Sequence, residues 1–284
     1  MRINIFLYIS FVVLISTFIS CDKEIETIPS YIHINDIVIN CTTEQGLPTQ
    51  KIKEVLVLLD SNNIGVYPVN GTFPVLGEGA HSITLLPVIR NNGISSAPVV
   101  YPFLTRYYAQ VDLESTKTDS ITPVFRYNSD AKFSFVESFN DSNSLGLDLD
   151  GDNNNIYITT QGALDGRSGI VSLDSLEHPV AIWGSVDEYD LPNNGTYCYL
   201  ELDYKNTVPF SVGLGGLDSG GNVLSDYVVV LYPSETWNKV YIDFTSLLQS
   251  TKLTNVRVFF NATIIDASTP SGNVLIDNVK LIHY

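Results

Sequence analysis

Short apolar runs alternate with polar turns along nearly the whole chain. In "YIHIN" (31–35) apolar and polar residues alternate, whereas "EVLVLLD" (54–60) is almost continuously apolar. Such runs, rich in Val, Ile, Tyr and Phe and bounded by Asn, Gly, Asp and Pro, are typical of β-strands. The one predicted helix is "TSLLQST" (245–251), with Thr245 as its N-cap. The pattern therefore predicts an all-β protein.

The predicted strands fall into two blocks, which a polar segment at 126–131 separates. The first block has the strand spacing of an immunoglobulin-like β-sandwich, and we place this domain at 31–127. The second block contains more and longer strands, which suggest a jelly roll of two packed antiparallel sheets. We place the jelly-roll β-sandwich at 128–284.

The chain begins with a positive residue and a short apolar run, "IFLYISFVVLISTFIS" (5–20), which is the layout of a secretory signal. The run ends in "FISC", which resembles a bacterial lipobox. The resemblance implies a lipoprotein signal peptide at 1–20, lipidation of Cys21 and a lipid-anchored tether at 21–30. The alternative is a signal peptide whose cysteine is incidental.

The residues after Cys21, "DKEIE", resemble the acidic export tag of Bacteroidota surface lipoproteins. This resemblance implies a lipid anchor in the outer membrane that faces the cell exterior, and the alternative is an anchor that faces the periplasm.

The balance of 15 basic and 31 acidic residues gives a net charge of −16, which argues against nucleic acid as a partner. Cys41 and Cys198 are too few for a disulfide framework, although pairing between them stays open.

The order of motifs in the second block carries a further resemblance. "TYCYLELDYKNTVPFSVGL", "ETWNKVYIDFTSLLQ", "VRVFFNA" and "VLIDNVKLI" follow one another as in jelly-roll carbohydrate-binding modules and laminin-G-like domains. The resemblance spans residues 131–284 and implies a fold rather than a binding site. Such modules often hold one structural Ca²⁺, and Glu137 and Asp277 stand at the matching positions.

Two other segments are candidates for ligand chemistry. "LDLDGDNNN" spaces Asp148, Asp150 and Asp152 two apart, as at the start of a calcium loop, although it lacks the glycine and the final carboxylate of an EF-hand. The alternative is a solvated turn. In "AIWGSVDEYDLPNNGTY", Trp183 and Tyr189 flank an acidic stretch and are candidates for sugar binding, with a place in the core as the alternative.

No catalytic motif is present: the chain has no G-x-S-x-G, H-E-x-x-H or phosphate-binding glycine loop, so we expect no enzyme.

Ser120 in "DSI" and Ser175 in "DSL" resemble the O-glycosylation sequon of Bacteroidota, which would place them on exposed turns. We predict an accessory or structural subunit of an outer-membrane β-barrel complex, such as the barrel-assembly machinery, a SusC/SusD-like transporter or a secretion translocon. The alternative is a surface lipoprotein whose jelly roll binds polysaccharide.

Overall fold

The computed structural model describes residues 28–266 and 268–284. The predicted signal peptide, Cys21 and most of the tether lie outside the described residues. Among the residues that are described, no helix is long and apolar enough to cross a membrane. The described part is built mainly of β-strands, most of them paired antiparallel, and the predicted all-β sandwich fold is confirmed.

The first ten strands form one sandwich, here called the N-terminal sandwich. One sheet has the order β5-β1-β9, and the facing sheet has the order β4-β3-β6-β7 with β8 beside β6. The first two strands pair in parallel with the last two, β1 with β9 and β2 with β10. The strands are β1 Ser30–Ile34, β2 Val38–Ile39, β3 Glu54–Leu59, β4 Asn62–Pro68, β5 Gly71–Val75, β6 Gly79–Arg90, β7 Pro98–Val100, β8 Tyr107–Leu113, β9 Thr118–Ile121 and β10 Val124–Phe125.

Alternation along β3 shows how the sequence builds this sandwich. Val55, Val57 and Leu59 point inward and are buried, while the residues between them are half-buried. Asp60 and Ser61 then take positive φ values of 48° and 68°, as a two-residue hairpin turn requires. The segment "GTFPV" forms β5 despite Pro74, because β5 pairs only with β1 and an edge strand tolerates proline.

The remaining eleven strands form the C-terminal sandwich. Its six-stranded sheet has the order β13-β14-β21-β16-β19 with β11 beside β21, and its five-stranded sheet has the order β12-β15-β20-β17-β18. The strands are β11 Lys132–Glu137, β12 Leu147–Asp148, β13 Tyr157–Thr159, β14 Ser168–Asp174, β15 Val180–Gly184, β16 Cys198–Asn206, β17 Phe210–Leu217, β18 Val223–Leu231, β19 Ser234–Asp243, β20 Thr254–Thr263 and β21 Ser271–His283.

The predicted helix is present as α1, Thr245–Thr251, but its cap was predicted wrongly. Phe244 occupies the N-cap position and makes no side-chain capping bond. The Thr245 hydroxyl instead accepts a hydrogen bond from the backbone N–H of Cys198 at 3.1 Å, which ties the helix to β16.

Cys198 is buried and Cys41 is half-buried, and both are free thiols. The two cysteines therefore do not form a disulfide with each other.

The two sandwiches meet through the outer face of the six-stranded sheet. Tyr199, Tyr241 and Ile282 point from that face into the apolar core of the N-terminal sandwich. Between them lies a buried polar group, here called the junction cluster. It comprises Thr49, Tyr101 and Tyr127 from the N-terminal sandwich and Glu201, Asp203, Lys239, Asn278 and Lys280 from the C-terminal sandwich.

A β-bulge in β21 directs one member of this cluster. The register of β21 against β16 shifts between Glu201 and Asp203, and Asn278 takes a positive φ of 46° there. Its side chain accepts a hydrogen bond from the backbone N–H of Leu47 at 2.9 Å and donates to Asp203 at 2.8 Å. The bulge thereby links the last strand of the chain to the loop that follows β2.

Candidate functional site

Trp183, the leading candidate for sugar binding, lies in the core. Its side chain is 0% exposed, and its ring stacks on Phe260 with a centroid distance of 5.3 Å. It points inward because alternate residues of β15 face the six-stranded sheet, as Ala181 also does. A buried indole cannot present its face to a ligand, so the prediction for Trp183 is wrong.

Tyr189 does not form a binding surface with Trp183 either. It is half-buried against the core, and its ring centroid lies 5.2 Å from that of Phe135. Its backbone forms an isolated bridge to Val256, which ties this segment to β20. Burial raises the pKa of its hydroxyl to about 12.

A groove of about 550 Å³ crosses the outer face of the five-stranded sheet. Alternation along β20 produces this face: Val256, Val258 and Phe260 point into the core, so Arg257 and Phe259 point outward. Four strands, β15, β20, β17 and β18, contribute to the groove, together with Leu149 after β12 and the loop after β15. The lining residues are Leu149, Ile182, Glu188, Gly215, Gly216, Leu217, Val223, Ser225, Tyr227, Asn255, Arg257 and Phe259.

Two aromatic rings contribute to the apolar part of the groove. Tyr227 is 42% exposed, and its ring centroid lies 4.8 Å from that of Phe259, which is largely covered. Asn261 donates to the Tyr227 hydroxyl at 2.8 Å and so restricts the ring. Phe259 stands opposite Gly213 of β17, where an added Cβ would come within 2.8 Å of the Phe259 ring. Glycine at this position therefore makes room for the aromatic floor.

The polar rim of the groove is a hydrogen-bonded trio of Arg257, Glu188 and Asn255. Arg257 donates to Glu188 at 3.1 Å, and the Asn255 amide donates to the other carboxylate oxygen at 2.7 Å. The bond from Asn255, together with the charge of Arg257, lowers the pKa of Glu188. The rim therefore presents an ionised carboxylate, whose remaining lone pairs can accept hydrogen bonds from a ligand.

Glu137 and Asp277, which the resemblance assigned to calcium, are both buried at the end of β11 and in β21. Glu137 accepts hydrogen bonds from the backbone of Phe139 and from the backbone and hydroxyl of Ser144, all at 2.6 Å. Asp277 accepts from the hydroxyl of Ser168 at 2.7 Å, and burial raises its pKa to about 6. Internal donors thus satisfy much of both carboxylates, and the calcium site stays a prediction.

The carboxylates of Asp148, Asp150 and Asp152 come together at the end of β12 and in the loop after it, with one oxygen of each within 4.8 Å of the others. Asp148 accepts from the backbone N–H groups of residues 150, 151 and 153. Asp152 pairs with His178 at 2.9 Å, and burial raises the pKa of Asp150. Because these bonds also hold together a solvated turn, calcium at this loop stays a prediction.

The two predicted glycosylation sites lie in different settings. Ser120 is exposed but belongs to β9 rather than to a turn, so its predicted setting was wrong. Ser175 is half-buried in the turn after β14, and its backbone N–H donates to the carbonyl of Pro270. Modification of either residue stays a prediction.

Comparisons with known proteins yield only distant similarity. No family model matches the sequence, and no curated protein matches it. A xylan-binding domain of carbohydrate-binding-module family 22 is 16% identical over 54% of this chain and 96% of its own, with a TM-score of 0.40. The family 22 module of a xylanase from Paenibacillus barcinonensis is 10% identical over 54% and 95% of the two chains, with a TM-score of 0.39. A family 30 carbohydrate-binding module is 16% identical over 51% and 86%, with a TM-score of 0.39. Because these identities are 16% or lower and these TM-scores are 0.40 or lower, the similarities do not assign a function to this chain.

Proposed function

We propose that the C-terminal sandwich binds a glycan in the groove on its five-stranded sheet. One observation carries the proposal: the half-exposed ring of Tyr227 lies in the same groove as the carboxylate of Glu188 and the amide of Asn255. An aromatic face can pack against the C–H groups of a sugar ring, while the polar side chains bond its hydroxyls. Ligand sites typically combine apolar walls with a few convergent polar groups in this way.

The size of the groove agrees with this proposal. Its volume of about 550 Å³ lies within the range of about 300–1,000 Å³ that is typical of small-ligand sites. Tyr227 also needs little ordering on binding, because its hydroxyl already accepts the hydrogen bond from Asn261. A restrained ring loses less conformational entropy when a ligand packs against it.

Affinity electrophoresis of the purified chain through gels that contain soluble polysaccharides tests the proposal. We expect at least one polysaccharide to retard the wild type and Tyr227→Ala to weaken this binding about thirtyfold or more, since loss of a central aromatic contact costs about 2 kcal/mol or more. Tyr227→Phe keeps the ring and should retain most of the binding. Tyr108→Ala removes a tyrosine that is 67% exposed on the N-terminal sandwich and serves as the control.

Two outcomes would refute the proposal. The first is a wild type that no polysaccharide retards. The second is a folded Tyr227→Ala variant, with an unchanged melting temperature, that is retarded as strongly as the wild type.

The role in an outer-membrane barrel complex and the anchor at Cys21 stay predictions. Recovery of a near-stoichiometric barrel protein with the tagged, detergent-solubilised lipoprotein would support that role, and recovery of the lipoprotein alone would count against it.

A further inference from the structure

Resting on the proposed function, we infer that the groove selects neutral oligosaccharides and rejects those that carry carboxylate or sulfate groups. The inference concerns which class of glycan fits the charges of the groove. Three observations support it. The arginine that lines the groove is paired within the protein, the rim carries an ionised carboxylate, and the groove extends across several strands.

Arg257 is the single basic side chain among the lining residues, and it already makes three hydrogen bonds within the protein. One terminal nitrogen, Nη1, donates to the carbonyls of Ser185 and Val186, and the other, Nη2, donates to Glu188. A uronate or a sulfate would have to compete with the two carbonyls for Nη1 and with the Glu188 carboxylate for the charge of the guanidinium. The arginine therefore positions the loop after β15 rather than offering a free cation.

The rim offers no net positive charge to an anionic ligand. Glu188 is ionised, because its pKa is lowered, and it is 41% exposed at the edge of the groove. Its charge offsets that of Arg257, and the whole chain carries a net charge of −16. A negative field disfavours the approach of an anionic ligand, whereas a neutral sugar hydroxyl can donate to the carboxylate.

The length of the groove points to an oligosaccharide rather than to a single ring. Its lining reaches from Leu149, the residue after β12, to Tyr227 on β18. Leu149 continues the line of β12, because its backbone N–H donates to the carbonyl of Ile182 on β15. Neighbouring strands lie about 4.8 Å apart, so four spacings extend roughly 19 Å. A single pyranose ring would fill only a fraction of this length, and the remaining contacts would go unused.

Isothermal titration of the purified protein with size-matched probes tests the inference. The neutral probes are hexasaccharides of glucose, xylose, mannose and galactose, and the anionic probe is the hexamer of galacturonic acid. We expect at least one neutral hexamer to bind about tenfold or more tightly than the acid, and its monosaccharide to bind at least about tenfold more weakly than the hexamer. Glu188→Gln should reduce the neutral-to-acid ratio about threefold, because it removes the negative charge from the rim.

Glu235→Gln is the matched control, because it makes the same change in net charge on the exposed surface of β19, in the other sheet. We expect it to leave the neutral-to-acid ratio unchanged. Binding of the galacturonate hexamer as tightly as the best neutral hexamer would overturn the charge inference but leave glycan binding intact. A monosaccharide as tight as its hexamer would overturn the inference about length. A panel in which no sugar binds would overturn the proposed function and this inference together.

Discussion

Replacement of Glu201 by glutamine should destabilise the fold strongly, because Glu201 is the central anion of the junction cluster. Its side chain is 1% exposed, and one carboxylate oxygen lies 2.9 Å from the ammonium nitrogen of Lys239. The hydroxyls of Tyr101 and Tyr127 donate to the other oxygen at 2.8 and 2.9 Å. Glutamine keeps the shape of the side chain and an oxygen that can accept from the tyrosines, so the variant isolates the effect of the charge.

The structure gives the scale of the effect. At an effective dielectric constant of about 20, two unit charges separated by 2.9 Å attract by about 6 kcal/mol. Removal of one partner from a buried ion pair typically costs about 3–5 kcal/mol, because the remaining charge stays buried without compensation. We expect Glu201→Gln to lower the free energy of unfolding at pH 7 by about this amount, since Lys239 and Lys280 would then share Asp203 as their only anion in the cluster.

The effect should depend on pH through Lys280. Burial lowers the pKa of Lys280 to about 8, and its ammonium group donates to the neutral acceptors Leu47 and Tyr127. Burial also opposes the charge of Lys239, but the attraction of Glu201 and Asp203 outweighs it and raises the pKa of Lys239. Without Glu201, folded Lys280 should lose its proton first. Its folded pKa lies below its unfolded value, so the unfolded state binds more protons, stability rises with pH, and the deficit of the variant should shrink between pH 7 and pH 9.

Urea unfolding at pH 7 and pH 9, followed by tryptophan fluorescence, measures both effects. Glu235→Gln is again the control, and as an exposed substitution it should change stability by less than about 0.5 kcal/mol. A loss of less than about 1 kcal/mol for Glu201→Gln at pH 7 would show that the cluster is not an essential ion group. A deficit that grows from pH 7 to pH 9 would refute the role assigned to Lys280.

Three further outcomes are expected. Phe260→Ala, which removes a fully buried ring stacked on Trp183, should lower the free energy of unfolding by about 3–5 kcal/mol in urea titrations. If calcium binds at Glu137 and Asp277, a chelator should lower the melting temperature of the wild type but not of an Asp277→Asn variant, and an unchanged wild-type midpoint would exclude a bound structural ion. Cys21→Ser should abolish metabolic labelling with radioactive palmitate and release the chain from membranes, whereas labelling that persists would refute the lipid anchor.

Period-two alternation was enough to predict the fold class, because most strands bury one face and leave alternate residues at least partly exposed. It failed where both faces of a strand are buried. In "CYLELDYKN" the alternation of apolar and charged residues indicates a solvent-facing side, yet Glu201 and Asp203 are buried in the junction cluster. The partners that make this burial tolerable come from segments at least 36 residues away in sequence. No local pattern contains that information.

The groove was missed for a related reason. Tyr227, Arg257 and Glu188 lie on two strands and a loop, and only the strand order brings them together. One signal was present in the sequence: in "VRVFFNA" the residues Arg257, Phe259 and Asn261 alternate with Val and Phe and share one face of a strand. Sugar binding was predicted at Trp183 instead, because the sequence shows an aromatic residue next to an acidic stretch. The sequence does not show that the Trp183 side chain points into the core.

The use of the two outer faces of the C-terminal sandwich explains why the groove lies where it does. Tyr199, Glu201, Lys239 and Tyr241 project from the outer face of the six-stranded sheet and are buried against the N-terminal sandwich. That face cannot receive a ligand without separating the two sandwiches and exposing the junction cluster. The five-stranded sheet has its outer face on the opposite side, where the described part of the N-terminal sandwich forms no sheet with it. A ligand can therefore reach Tyr227 without disturbing the junction, so Tyr227→Ala should affect binding and Glu201→Gln should affect stability, each with little effect on the other.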